Sequence, residues 1–175
     1  MVGACVIITC LRVRNEQEIP CITLYKEYRK NEPDGFYSIP GGHLKKNEDP
    51  ILGALRETEE ESFLKFNKEE LKGPIFVNNC YFYLVRFDKI SRKEFLRKRF
   101  DDPKSLKWEQ KETWDLRLVP IIELQNLKSR FIKDIYGNEI KLRDILYDEL
   151  KKEPKLLLMI SEMFQKNINY QLPTS

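Results

Sequence analysis

Nearly every position from Val2 to Cys10 is apolar. Val6, Ile7, Ile8 and Val13 are β-branched, and the short run from Val2 to Val13 reads as a strand. Arg14 to Pro20 is polar and reads as a turn, and Ile22 to Tyr28 as a second strand. Asn31 to Gly35 carries strong turn chemistry, and Phe36 to Ile39 follows as a short strand. Pro40, Gly41 and Gly42 then predict a loop, because paired glycines reach backbone conformations that other residues avoid. Asp49 suits a helix cap and Pro50 the first helical position, so a helix is expected from about Pro50 to Ser62. Phe76 to Phe87 reads as one long strand, and Ser91 to Phe100 as a basic helix packing through Phe95, Leu96 and Phe100. Thr113 to Val119 alternates like a strand, with Trp114, Leu116 and Leu118 on one side and Asp115 and Arg117 on the other. Ile121 to Leu127 fits a short helix. Leu142 to Phe164 is a long helical pattern broken near Pro154, where a backbone donor is missing.

Strands followed by a helix, more strands and terminal helices predict a mixed α/β fold of the α+β type, with an internal sheet flanked by helices. No repeat or low-complexity linker divides the chain, and 175 residues suit a single domain spanning 1–175. The apolar N-terminal run is far shorter than the roughly 20 residues needed to cross a bilayer. It also lacks a basic leader, so no signal peptide is expected and a cytoplasmic location is. Cys5, Cys10, Cys21 and Cys80 form no Cys-x-x-Cys pair and read as reduced, mostly buried thiols.

Composition adds little by itself: 41% apolar, 34% charged and a net charge of +3 describe an ordinary globular protein without a compulsory nucleic-acid partner. The local distribution is more informative. Lys89 to Lys107 holds eight Lys/Arg against Glu94, Asp101 and Asp102. It is either a solvated helix or a phosphate track for a polyanion such as RNA, with Arg97, Lys98 and Arg99 as candidate contacts. His43 is the sole histidine, which rules out a histidine-based triad or zinc cluster and leaves a loop-filling or phosphate-contacting role. Trp108, Trp114, Tyr81, Phe82 and Tyr83 read mainly as core, with base stacking as the alternative.

The helix from Pro50 carries the chemistry. At 100° per residue, Glu57, Glu60 and Glu61 fall within about 100° of one another, while Ile51, Leu55, Thr58 and Ser62 fall opposite. Like charges at this spacing cost a few tenths of a kcal/mol per pair, and they crowd the helix's second half, where its dipole disfavours anions. A hard divalent cation converts that repulsion into ligation, and the glycine pair lets a bare carbonyl approach the same ion. The plain alternative is a solvated acidic face.

Gly42, Glu48, Arg56, Glu57, Glu60 and Glu61 stand at the spacing Gly-x5-Glu-x7-Arg-Glu-x2-Glu-Glu. Chance gives this about once in ten million start positions. The spacing resembles the signature of the Nudix hydrolases, and the flanking Pro40 to Leu44 does too. The resemblance implies an α/β/α sandwich with a central mixed sheet and a catalytic loop–helix, a core over about 1–127 and a C-terminal helical extension over 128–175. It implies Mg²⁺ or Mn²⁺ held chiefly by Glu60 and Glu61, assisted by the Gly41 or Gly42 carbonyl. Glu57 becomes a ligand or base, Arg56 a brace for the carboxylates, and Glu48 a stay for the loop. Later-loop glutamates often join such sites, which makes Glu112 the first candidate and Glu109 the second. The implied reaction is attack of water on a nucleoside diphosphate linked to another group. Alternatives are RNA 5′-cap removal, diphosphoinositol polyphosphate hydrolysis, or a catalytically silent nucleotide-binding module. A monomer or a homodimer fits equally. Thr58 and Phe63 depart from the pattern; Phe63 replaces the family's glycine and predicts a different helix exit or a longer helix.

Overall fold

The computed structural model describes residues 1–101 and 112–165. The glutamate candidate Glu109, the aromatic candidate Trp108 and the end of the basic segment lie outside the described residues.

Two long strands, β1 (Gly3–Arg14) and β2 (Gln17–Arg29), form the frame. They pair antiparallel from Thr9↔Ile22 to Arg14↔Gln17. The connection is shorter than the expected polar turn: only Asn15 and Glu16, both at positive φ, separate them. This two-residue geometry matches the right-handed twist of the strands it joins. β3 (Glu32–Ser38) pairs with the far end of β2, and β4 (Gly41–His43) with the start of β1. Beyond Thr9 and Ile22 the two long strands therefore diverge, and β3 and β4 occupy the wedge between them. The expected Gly-Gly loop is thus a short strand. Gly41 fits there because a Cβ would collide with the Cys5 side chain and lie 2.8 Å from the Ala4 carbonyl.

The helix α1 (Pro50–Ser62) has the predicted bounds, with the Asp49 side chain accepting from the Ile51 N–H and Pro50 opening the first turn. The expected long strand at 76–87 is instead a hairpin, β5 (Lys72–Val77) and β6 (Cys80–Arg86). Asn78 and Asn79 turn it at positive φ, which asparagine tolerates better than most residues. β6 runs parallel to β1 from Gly3↔Cys80 to Thr9↔Arg86, which makes β1 a central strand apolar on both faces. A short helix α2 (Arg92–Leu96) continues into a wide turn over Arg97–Asp101. β7 (Leu116–Pro120) pairs with β2, and α3 (Ile121–Gln125) follows. A small hairpin unread in the sequence, β8 (Phe131–Lys133) and β9 (Glu139–Lys141), precedes α4 (Asp144–Lys152) and α5 (Pro154–Glu162). Pro154 breaks the helical run where expected, as the first residue of α5.

The sheet separates two apolar clusters. Ala4, Val6, Ile8, Tyr25 and Tyr83 pack with Ala54 of α1 and Phe95 of α2. Cys5, Ile7, Leu24, Phe82 and Leu84 pack with Leu124, Leu146, Leu150, Leu156 and Ile160 of α3 to α5. The helices α3 to α5 therefore cover one of the two apolar clusters. All four cysteines are free thiols, three of them buried. No described helix is long and apolar enough to cross a membrane.

Candidate active site

Splaying β1 from β2 leaves a cleft of about 540 Å³ whose walls include Gly41, Gly42, His43, Glu57, Glu61 and Glu112. Arg56 organises its α1 wall. Its Nε and Nη2 donate to the two oxygens of Glu48 at 2.9 and 3.0 Å, and its Nη1 donates to Glu57 Oε1 at 2.9 Å. Glu48 also accepts the Lys45 N–H at 2.9 Å, so it closes the loop before the helix. The Arg56 guanidinium beside it holds the Glu48 carboxyl down at about 2. Gly42 leaves room for this arrangement, since a Cβ there would lie 2.6 Å from the Glu57 carboxylate.

Glu61 has no such fork. It is 3% exposed, and its carboxylate accepts from the Gly41 N–H at 3.0 Å. Burial pushes its carboxyl far above the usual range, and the charge of Glu27 pushes further in the same direction. Glu57 is also raised, by burial first, with Arg56 opposing. Glu57, Glu61 and Glu112 each offer an oxygen within 4.8 Å of the others. This acceptor-only set, with one member buried against a single backbone donor, fits a hard divalent cation.

Glu112 is held there by its neighbour. The Thr113 hydroxyl donates to the Glu61 carbonyl at 2.7 Å and accepts from Arg99 Nη2 at 2.5 Å, while Arg99 Nη2 also donates to that carbonyl at 3.2 Å. The Trp114 N–H bonds the Lys26 carbonyl at 2.9 Å, which lays the segment along β2.

The other sequence candidates scatter. Glu60 is half-exposed, touches Arg56 at 3.5 Å and lies outside the three-carboxylate group. Arg99, expected on a phosphate track, is 1% exposed and works beneath the site, its guanidinium 4.5 Å from the Phe63 ring. Arg97 and Lys98 sit near Glu94 at 2.8 and 3.9 Å and line no part of the cleft. Phe63 neither lengthens the helix nor changes its exit: it adopts the left-handed cap itself, φ 64°, with its N–H bonded to the Glu59 carbonyl. Trp114 meets Tyr28 edge-on at 5.8 Å beside the cleft, whereas Phe82 is core and lines its floor.

Sequence reasoning missed Glu27, Arg143 and Glu149, which also line the cleft. Glu149 carried a readable signal: it lies three residues after Leu146 and beside Leu150 on the apolar stripe of α4, where a solvated acid does not belong. Glu27 carried none, because nothing in β2 marks which polar residue meets α1.

A model of the NUDIX domain matches residues 4–135. No curated protein matches the chain. Among solved structures, a mutT/nudix family protein from Listeria innocua is similar at 21% identity and TM-score 0.52, covering 93% of this chain and 95% of that one. The NUDIX domain of Shewanella oneidensis NrtR, solved with ADP ribose, gives 10% identity and TM-score 0.53 over 94% and 88%. RenU, a Nudix hydrolase from M. smegmatis, gives 11% identity and TM-score 0.51 over 91% and 87%. At these identities the structural likeness is one of fold, and it agrees with the independent sequence match. The chain belongs to the NUDIX family and is a hydrolase of pyrophosphate bonds.

Proposed function

We propose that this hydrolase depends on Mg²⁺ or Mn²⁺ and cleaves a nucleoside diphosphate linked to another group. The observation that carries this reading is the convergence of Glu57, Glu61 and Glu112, with Glu61 buried and its carboxylate bonded to a backbone N–H instead of a cationic side chain. A bound divalent ion supplies neutralisation of the diphosphate and a more acidic water. Glu57, Glu61 and Glu112 would hold it, with the Gly41 or Gly42 carbonyl assisting. Glu60, half-exposed and 3.5 Å from the Arg56 guanidinium, would join from outside that group. Arg56 keeps Glu57 ionised and aligned through its fork to Glu48. Glu57, which lines the cleft and is aligned by Arg56, is the residue we assign as base to the attacking water, through whichever oxygen the ion leaves free.

The cleft is of the size that takes a drug-sized or nucleotide ligand. The related NrtR domain, solved with ADP ribose, makes that compound a first candidate. The exposed Tyr28 and its neighbour Trp114 offer aromatic faces at the cleft wall. We place the enzyme in the cytoplasm as a monomer or homodimer.

The test is turnover of ADP-ribose, dinucleoside polyphosphates, 8-oxo-dGTP, capped RNA and a diphosphoinositol phosphate, each with Mg²⁺ or Mn²⁺. Split products from at least one nucleotide compound, abolished by chelation, are expected. Tight binding of one compound with turnover of none would leave a nucleotide-binding module instead.

A further inference from the structure

The wall facing α1 belongs to the C-terminal part of the chain. Arg143, Ile145, Leu146 and Glu149, from α4 and the residue before it, line the same cleft as the metal-site carboxylates. Glu149 is 5% exposed, and among the described residues no hydrogen bond or ion pair reaches its carboxylate. Its carboxylate oxygens are not among the solvent-excluded unpartnered atoms of the described residues, so they open onto the cleft, where an occupant would replace the water that reaches them.

Different charges lead at the two acidic regions, although Glu61 and Glu149 both act on the Cys5 thiol. The leading charges on Glu57 are Arg56, Glu60 and Glu112, and those on Glu61 are Glu27, Glu57 and Glu112. Those on Glu149 are Arg143 and Asp148, and on the sheet side it acts on the Cys5 thiol. Arg143 acts on both Glu27 and Glu149, and so stands between the two ends.

We propose that Glu149 is a specificity determinant of the cleft, its carboxylate accepting a pair of adjacent neutral hydrogen-bond donors at the end of the substrate remote from the scissile diphosphate. The assignment of a diphosphate ligand rests on the hydrolase reading above; the donor-pair recognition does not. A carboxylate only accepts, and its two oxygens suit two neighbouring donors. Two parts of a nucleotide present such a pair: the N1–H and N2–H₂ edge of guanine, and the vicinal hydroxyls of a ribose. Glu149 belongs to no group of three metal ligands among the described residues, unlike Glu57 and Glu61. A cationic ligand group is not required, because Arg143 already supplies positive charge. Burial pushes the Glu149 carboxyl up to about 7, so bound donors would recover the solvation it has lost.

The decisive experiment measures, by calorimetry with Mg²⁺ present, the Kd of GDP, of IDP and of 2′,3′-dideoxy-GDP for the wild type and Glu149→Gln. IDP lacks the guanine amino group, and the dideoxy compound lacks the ribose pair. In the wild type, one of the two deletions weakens binding by about tenfold or more. In Glu149→Gln, that deletion changes binding by less than about twofold. The deletion that matters identifies base or sugar as the source. Equal responses in the two proteins, or no binding of any of the three below about 1 mM, would overturn the proposal. Glu149→Leu, which should fold because it removes a buried unpartnered acid, repeats the measurement. Turnover of the substrate panel, read separately, reports on the hydrolase reading: cleavage without Glu149-dependent discrimination sinks this inference alone.

Discussion

The α1 wall of the cleft and the α4 wall both bury glutamate, but they do so on different terms. On α1, Glu57 and Glu61 are crowded by Glu27 and Glu112, and one arginine, Arg56, bonds Glu57 and Glu48 but not Glu61. On α4, Glu149 stands singly, with Arg143 within electrostatic range. A multivalent cation relieves a crowd of carboxylates that otherwise must take up protons, whereas a lone carboxyl can stay protonated until a neutral ligand arrives. The first wall is built for chemistry, and the second for choosing what reaches it.

The sharpest way to break this contrast is Glu61→Gln. The variant keeps the shape and removes the ion's buried ligand, so kcat should fall at least about 10²-fold, near 3 kcal/mol of transition-state stabilisation. The same change removes a buried ionisable group crowded by Glu27 and Glu57 from the metal-free protein, whose Tm should rise by about 2–4 °C and lose its response to Mg²⁺. Full activity would show that the carboxylate cluster holds no catalytic ion.

Glu149 predicts the opposite pH signature to a salt-bridged acid. Its folded pKa, about 7, lies above the ordinary 4.5, so the native state binds the extra proton and loses stability as pH rises between those values. Relative to Glu149→Gln, the metal-free wild type should weaken by on the order of 2 kcal/mol from about pH 4.5 to 7 and then level off. Urea melts across that range check it. A difference independent of pH would mean that the α4 carboxyl is solvated like any surface acid.

These two glutamates also mark where sequence reasoning succeeds and fails. The bounds of α1 were legible because Asp49 and Pro50 are local signals and the apolar spacing is regular. The six-residue spacing from Gly42 to Glu61 was legible because every member lies on one continuous strand–loop–helix stretch, from β4 to α1. The burial of Glu61 was not, since it depends on the Gly41 backbone and Thr113 closing over it from elsewhere in the chain. Its helical neighbour Glu60, one residue away and equally acidic in the sequence, remains in solvent. Asn78 and Asn79 were lost inside an apolar run because their turn depends on backbone conformation, not polarity alone.

Phe63 tests the junction between the α1 wall and its support. A non-glycine residue in the left-handed region costs about 1–2 kcal/mol, so the family's glycine would relieve strain there. The ring nevertheless packs 5.7 Å from Phe95 and 4.5 Å from the Arg99 guanidinium, contacts that together should outweigh the strain. Phe63→Gly should therefore destabilise the protein by about 1 kcal/mol in a denaturant melt. A stabilised variant would show that Arg99 needs no aromatic ceiling.

The smallest effect is expected outside both walls. Arg97 lies 2.8 Å from Glu94 and Lys98 3.9 Å from it, with about half and a third of their side chains exposed. Exposed pairs of this kind are worth less than about 1 kcal/mol, so replacing both residues by Ala should barely move Tm. Neither residue lines the cleft, and kcat/KM on ADP-ribose should stay within about twofold. Capped RNA makes the test discriminating, because the log–log salt slope of binding drops by about 0.9 for every phosphate the protein ceases to neutralise. Pairing with Glu94 predicts a change well below one such step for the double variant. A fall of about two steps would restore this basic surface as an RNA track and make the α4 wall a secondary element of specificity.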